Sequence, residues 1–177
     1  TTNIETITGS GTLTLGQSGE TISVPSGATI NLSNATQTGV GGVNTPTFLV
    51  RKNGDQTGVV ANTYTKVTGW TEIFDPQSTF ASDKWSPASS GKYFIFGTVY
   101  VYSNDATRTF VAIYKNGSKL NETGVASGKS DNYPIQVSAM DENDGDDYYE
   151  LYVKTAASGT VIYSSGVTNQ FGGYKII

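Results

Sequence analysis

Lys92-Tyr93-Phe94-Ile95-Phe96-Gly97-Thr98-Val99-Tyr100-Val101-Tyr102 is the run of this chain densest in aromatic and β-branched residues. Such side chains crowd a helix and fit a pleated surface, so the run predicts a strand. At a period of two, Tyr93, Ile95, Val99 and Val101 share one face and suit the core of a sandwich. Phe94, Phe96, Tyr100 and Tyr102 share the other face. On either side, shorter strands are predicted at 47–51, 63–67, 70–74, 109–115, 134–140, 148–155, 159–164 and 170–177. The Lys52-Asn53-Gly54-Asp55 and Asn116-Gly117 steps are turns, the second a strong hairpin signal. No segment carries a helical period. Many short strands with turns at this spacing predict an all-β antiparallel sandwich or jelly roll.

The chain changes character near Gly41. Residues 1–41 are rich in Thr, Ser and Gly and contain no aromatic residue, whereas all seven Phe, all eleven Tyr and both Trp come later. Large side chains build cores, so the main folded domain is expected at 46–177. Within 1–41, Ser10-Gly11, Ser18-Gly19 and Ser26-Gly27 recur eight residues apart. Each step is followed by an alternating aliphatic pair: Leu13 and Leu15, Ile22 and Val24, Ile30 and Leu32. This reads as a short β-repeat, each unit burying too little to stand alone. Three copies wrapped into a shaft or arm would supply the missing surface. A linker with chance alternation is the other reading, and residues 38–44 form a glycine-rich hinge.

Composition excludes several chemistries. Histidine is absent, which removes His-based triads, His metal sites and the commonest general base. Cysteine is absent too, so no disulfide framework is expected. A net charge of −4 with scattered basic residues offers little to neutralise a row of phosphates, and no nucleic-acid partner is expected. No apolar run approaches the roughly 20 residues of a spanning helix, so no membrane insertion is expected. Residues 1–8 lack the basic start and apolar middle of a signal peptide.

Four stretches then fall into a known order. They are Phe74-Asp75-Pro76 with Phe80, Pro87 and Gly91-Lys92-Tyr93-Phe94-Ile95; Val111-Ala112-Ile113-Tyr114-Lys115-Asn116-Gly117; Gly145-Asp146 before a strand; and Phe171-Gly172-Gly173-Tyr174-Lys175-Ile176-Ile177. In this order, residues 46–177 resemble the globular head of the first complement component, within the tumour-necrosis-factor-like jelly-roll superfamily. Ile95 stands where that family has Phe, Gly172 replaces its Ser, and Lys175 replaces an aliphatic residue. The resemblance implies a homotrimer with aromatic and aliphatic side chains along its three-fold axis. The candidates for that axis are Phe94, Phe96, Tyr100, Tyr102, Phe171 and Tyr174, or the opposite face of the long strand.

The acidic run 141–147 is the one candidate for metal. Asp141, Asn143 and Gly145 echo the start of a calcium loop, and Asp146 and Asp147 add carboxylates. However, Tyr152 stands where such a loop needs its bidentate Glu, and the turn glycine comes one place early. A solvated hairpin turn is the other reading. Glu72, Asp75 and Asp83 are the nearest thing to a glycosidase pair, yet turn or edge roles suit them better. No catalytic residues and no obligatory cofactor are therefore expected. Asn31, Asn34, Asn116 and Asn121 lie in glycosylation-type triplets, and Tyr133 and Tyr163 could stack on sugars, with core packing as the alternative.

A Thr/Ser/Gly-rich repeat joined to such a head looks like surface proteins of tailed bacteriophages. The expected function is a trimeric virion surface protein, a fibre or knob whose arm contacts other virion proteins and whose head binds a host-surface glycan or protein. A capsid decoration protein at three-fold positions is the second reading. A secreted lectin-like or cytokine-like ligand, hence an extracellular location, is the third.

Overall fold

Thirteen strands and no helix occur among the described residues of the computed structural model, which are 21, 23–29, 44–103, 108–126, 131–164 and 168–176. The chain divides into two compact units, Thr1–Gly41 and Gly42–Ile177. In the first, the Ala28 N–H donates to the Pro25 carbonyl at 3.1 Å. Gly27 takes the positive φ of 85° that closes this turn. Val24 is exposed. The other residues of the predicted repeat, Leu13, Leu15, Ile22, Ile30 and Leu32, lie outside the described residues.

The second unit holds β1 (Thr47–Lys52), β2 (Gln56–Val59), β3 (Thr65–Lys66), β4 (Trp70–Phe74), β5 (Phe80–Ala81), β6 (Lys84–Trp85) and β7 (Gly91–Ser103). These are followed by β8 (Thr109–Lys115), β9 (Ser118–Val125), β10 (Asp131–Asn143), β11 (Tyr149–Thr155), β12 (Thr160–Ile162) and β13 (Gln170–Ile176). They form two antiparallel sheets. One runs β2-β12-β7-β13-β1-β4, with β10 on the far side of β7. The other runs β5-β6-β11-β8-β9, with β3 paired to β11. This is a jelly-roll sandwich, as the strand pattern predicts.

The long strand β7 is the spine of the first sheet. β10 pairs along its full length, from Asp131 opposite Ser103 to Asn143 opposite Gly91. Its other edge is shared end to end by β13, with Gln170 opposite Thr98, and β12, with Ile162 opposite Val101. The predicted alternation holds: Tyr93, Ile95, Val99 and Val101 are 0% exposed. Gly97 occupies a core-facing position of the same strand because a Cβ there would sit 2.5 Å from Leu151 of the opposite sheet.

Trp85 anchors the space between the sheets. Its ring meets Phe48 at 4.6 Å, Tyr93 at 5.4 Å and Tyr149 at 5.8 Å between centroids. Its indole N–H donates to Thr79 Oγ1 at 2.8 Å, so its one polar atom is satisfied. The Asn116-Gly117 step makes the predicted hairpin. Both residues have positive φ, 50° and 76°, as a two-residue turn matched to strand twist demands.

Several elements differ from expectation. The strand predicted at 63–67 shrinks to two residues, and that at 134–140 grows to thirteen because β7 offers a partner along its whole length. β2, β5, β6 and β9 carry no clean apolar alternation; β9 is largely exposed and is set by the hairpin turn and its pairing with β8.

Candidate functional site

The outward face of the first sheet carries the residues of greatest interest. Phe94, Phe96, Tyr100 and Tyr102 all point away from the core and are half-buried. Antiparallel register sets Met140 of β10 and Tyr174 of β13 on either side of Phe94. Phe94 lies 5.7 Å from Tyr174 and 6.1 Å from Phe96 between ring centroids. At the other end, Tyr163 joins Tyr100 and Tyr102, at 6.5 and 5.9 Å. Met140 is 75% exposed and Tyr174 is 37% exposed. Across β13, Leu49 and the exposed Phe74 stand opposite one another on β1 and β4. The sequence reading missed Met140, Leu49 and Phe74, because strand register, not local pattern, brings them beside the aromatic residues.

Phe171 corrects the expected axis set. It lies three residues before Tyr174, an odd spacing that puts the two on opposite faces of a strand. Phe171 is 0% exposed and packs edge-on against Phe48 at 5.0 Å. It belongs to the core.

The acidic run folds into a corner with two halves. Lys115 places its ammonium 2.8 Å from both Asp141 and Asp147. Asn116 Nδ2 donates to Asp147 at 2.6 Å, and the Tyr149 hydroxyl donates to Asp141 at 2.8 Å. Burial pushes the Asp147 carboxyl up, but hydrogen bonds from Lys115, Asn116 and the Asp144 N–H outweigh it and hold the group below its ordinary value. Burial lowers Lys115, and its hydrogen bonds to the two carboxylates outweigh that and raise it. Asn143 is buried, with its Oδ1 accepting the Gly145 N–H at 2.7 Å. Asp144, which the reading omitted, groups with Asp146 and Asp147, one oxygen of each lying within 4.8 Å of the others. Of the four predicted ligands, then, Asp146 and Asp147 are together. Asp141 is turned to Lys115 and Tyr149, and Asn143 caps its own turn. The Lys115 ammonium thus already pairs with Asp141 and Asp147, two of the four candidate calcium ligands.

Of the remaining candidates, Asp75, Asp83, Asn116, Asn121 and Tyr133 serve the fold. Asp75 is buried and accepts from Thr79 Oγ1 and the Phe80 N–H at 2.9 and 2.6 Å, and Asp83 accepts from the Gly69 N–H at 3.0 Å. Glu72 is exposed on β4. Asn116 is tied to Asp147 and to the Tyr148 N–H, and Asn121 donates to the Ser138 carbonyl at 2.7 Å. Asn31 and Asn34 lie outside the described residues. Tyr133 packs against the core with its hydroxyl 2.9 Å from Thr109 Oγ1.

No protein-family model and no curated protein matches this chain. Solved structures do. The chain is similar to the structure of Eiger TNF from S. frugiperda, at 11% identity over 74% of this chain and 92% of that one, with a TM-score of 0.59. It is similar to murine APRIL crystallised at pH 5.0, at 10% identity over 73% of this chain and 98% of that one, with a TM-score of 0.58. The fold is thus a TNF-like β-sandwich.

Proposed function

We propose that this chain is a trimeric, non-catalytic virion surface protein, a fibre or knob whose head binds a host-cell surface ligand. One observation carries the oligomeric part. The outward face of the first sheet presents Met140, Phe94, Phe96, Tyr174, Leu49 and Phe74 to solvent in one copy. A contiguous apolar face of this kind marks an interaction surface. The TNF-like sandwich and the resemblance of its strand motifs to complement-type heads support packing of three such sheets about an axis. Phe94, Phe96, Tyr100, Tyr102 and Tyr174 would line it. Residues 1–41, poor in core-forming side chains, would join the head to other virion proteins.

Sedimentation equilibrium of the whole chain tests the assembly, with a mass three times 18.7 kDa expected. A chain that stays monomeric overturns it. Electron microscopy of labelled particles tests the location. Label at a tail tip supports the fibre, and label spread over the shell replaces it with a decoration protein. Binding of the chain to whole host cells tests the adhesive role.

A further inference from the structure

The outward face of the second sheet carries a different constellation, built from strands distant in sequence. Tyr114 of β8 and Tyr152 of β11 meet at 4.2 Å between centroids, and Tyr64, just before β3, meets Tyr114 at 5.6 Å. Lys154 lies over both Tyr64 and Phe110, at 4.9 and 5.1 Å. Lys119 lies over Tyr64 at 5.2 Å and Lys84 over Tyr148 at 4.6 Å. All five rings are half-buried. None is needed to fill the space between the sheets.

Charge separates this face from the rest of the molecule. Four lysines, Lys66, Lys84, Lys119 and Lys154, face two carboxylates, Glu122 and Glu150, in a chain whose net charge is −4. Lys66 takes Glu150 at 2.7 Å and Lys119 takes Glu122 at 2.9 Å. Among the described residues no carboxylate stands within ion-pair distance of Lys84 or Lys154, which rest on rings instead.

We propose that this face is the ligand surface of the head and that it takes a polysaccharide of acidic sugars. Pyranose rings lie along the Phe110–Tyr64–Tyr114–Tyr152 ridge, where tyrosines offer broad contact at low entropic cost. Ring carboxylates reach Lys84 and Lys154, repeating the pairing that Glu150 and Glu122 already make with Lys66 and Lys119. Electrostatic complementarity of this kind sets specificity more than raw affinity. Single-stranded nucleic acid fits less well. Two lysines outside direct ion pairs, one of them already under the field of Glu122, neutralise too few phosphates to hold a backbone against the charge of the whole chain. The inference rests on the adhesive reading above and supplies its ligand class.

The test passes the whole chain over immobilised polygalacturonate, neutral dextran, dextran sulfate and a single-stranded oligonucleotide. Wild type is expected to be retained on polygalacturonate and released by salt, with no retention on dextran. The double variant Lys84→Gln/Lys154→Gln is expected to bind about tenfold more weakly or worse. Both changes are on the surface, and an unchanged melting temperature shows that the variant is folded. Tyr152→Leu, checked in the same way, separates loss of ring stacking from loss of charge and is also expected to weaken retention. Failure of wild type to bind polygalacturonate, full retention of the double variant, or tighter binding to dextran sulfate or the oligonucleotide overturns the proposal. If wild type binds host cells and the double variant binds them equally, this site is wrong while the adhesive reading stands. If wild type binds no cells at all, the adhesive reading itself falls.

Discussion

Phe96 lies over Gly172 so closely that a Cβ on the glycine would come within 2.6 Å of the ring's Cζ and 3.1 Å of Leu49 Cδ1. The bare backbone of β13 is the seat of an aromatic ring from β7, a pairing that protects a glycine within a sheet. Gly172→Ala is expected to cost only about 1 kcal/mol, since the atoms it meets are side-chain tips and not backbone. Gly173 faces the core, where a Cβ would meet Trp85 at 2.8 Å and the Phe94 carbonyl at 3.0 Å. Gly173→Ala is therefore expected to cost about 3 kcal/mol, the upper end for overpacking. Urea unfolding of the two variants side by side checks the ranking.

Met140→Glu separates folding from assembly. The side chain is 75% exposed and adds little to the core of one copy. Beside Phe94, a carboxylate would repeat around the proposed axis and repel its own copies. The expected outcome is an unchanged fold by circular dichroism and a self-association constant weakened about a hundredfold or more. Sedimentation equilibrium reads it, and an unaltered mass would remove this face from the interface.

Lys115 and Asp147 set a pH window. The Asp147 carboxyl is held below its ordinary value of 3.8, so its contribution to stability is present above that pH and lost as pH falls through the depressed value. Lys115 is held above 10.5, so its contribution is present below that pH and lost as pH rises through the raised value. Asp147→Asn is expected to cost about 2 kcal/mol at neutral pH, the worth of a charged hydrogen bond. It should also flatten the acid limb of a stability–pH curve measured by denaturant unfolding.

Tyr152 should titrate late. Burial raises its phenol first, and the charge and hydrogen bond of Glu150 raise it further, so that it is pushed up to about 12. A phenol that prefers to stay neutral in the folded state adds stability below pH 10, and that share is lost as pH climbs toward the raised value. Glu150→Gln removes the neighbouring charge and should bring the Tyr152 titration to lower pH. Carbon NMR of ring-labelled tyrosine follows the single residue.

The sequence made the sandwich legible where period and turn chemistry agree. β4 and β8 occupy the predicted residues, the buried face of β7 is the predicted one, and Asn116-Gly117 turns as its composition demands. Phe171 was misplaced beside Tyr174, although their odd spacing in one strand already puts the two on opposite faces. β9 was not legible, because an exposed strand that owes its register to a turn carries no apolar pattern. The ridge of Tyr64, Phe110, Tyr114 and Tyr152 was hidden for a different reason. Its members come from β8, β11 and the approach to β3, and only the pairing of those strands brings the rings together.

The position of β13 constrains how the protein is made. It lies between β7 and β1, yet every other strand among the described residues precedes it, so one edge of β1 waits for a partner more than a hundred residues away. A nascent polypeptide emerging from the ribosome holds the facing edges of β1 and β7 open until Gln170–Ile176 arrives. Closing this sheet depends on contacts distant in sequence, which slow folding. A message truncated before Gln170 yields a chain that cannot close its first sheet and is prone to aggregate through those edges.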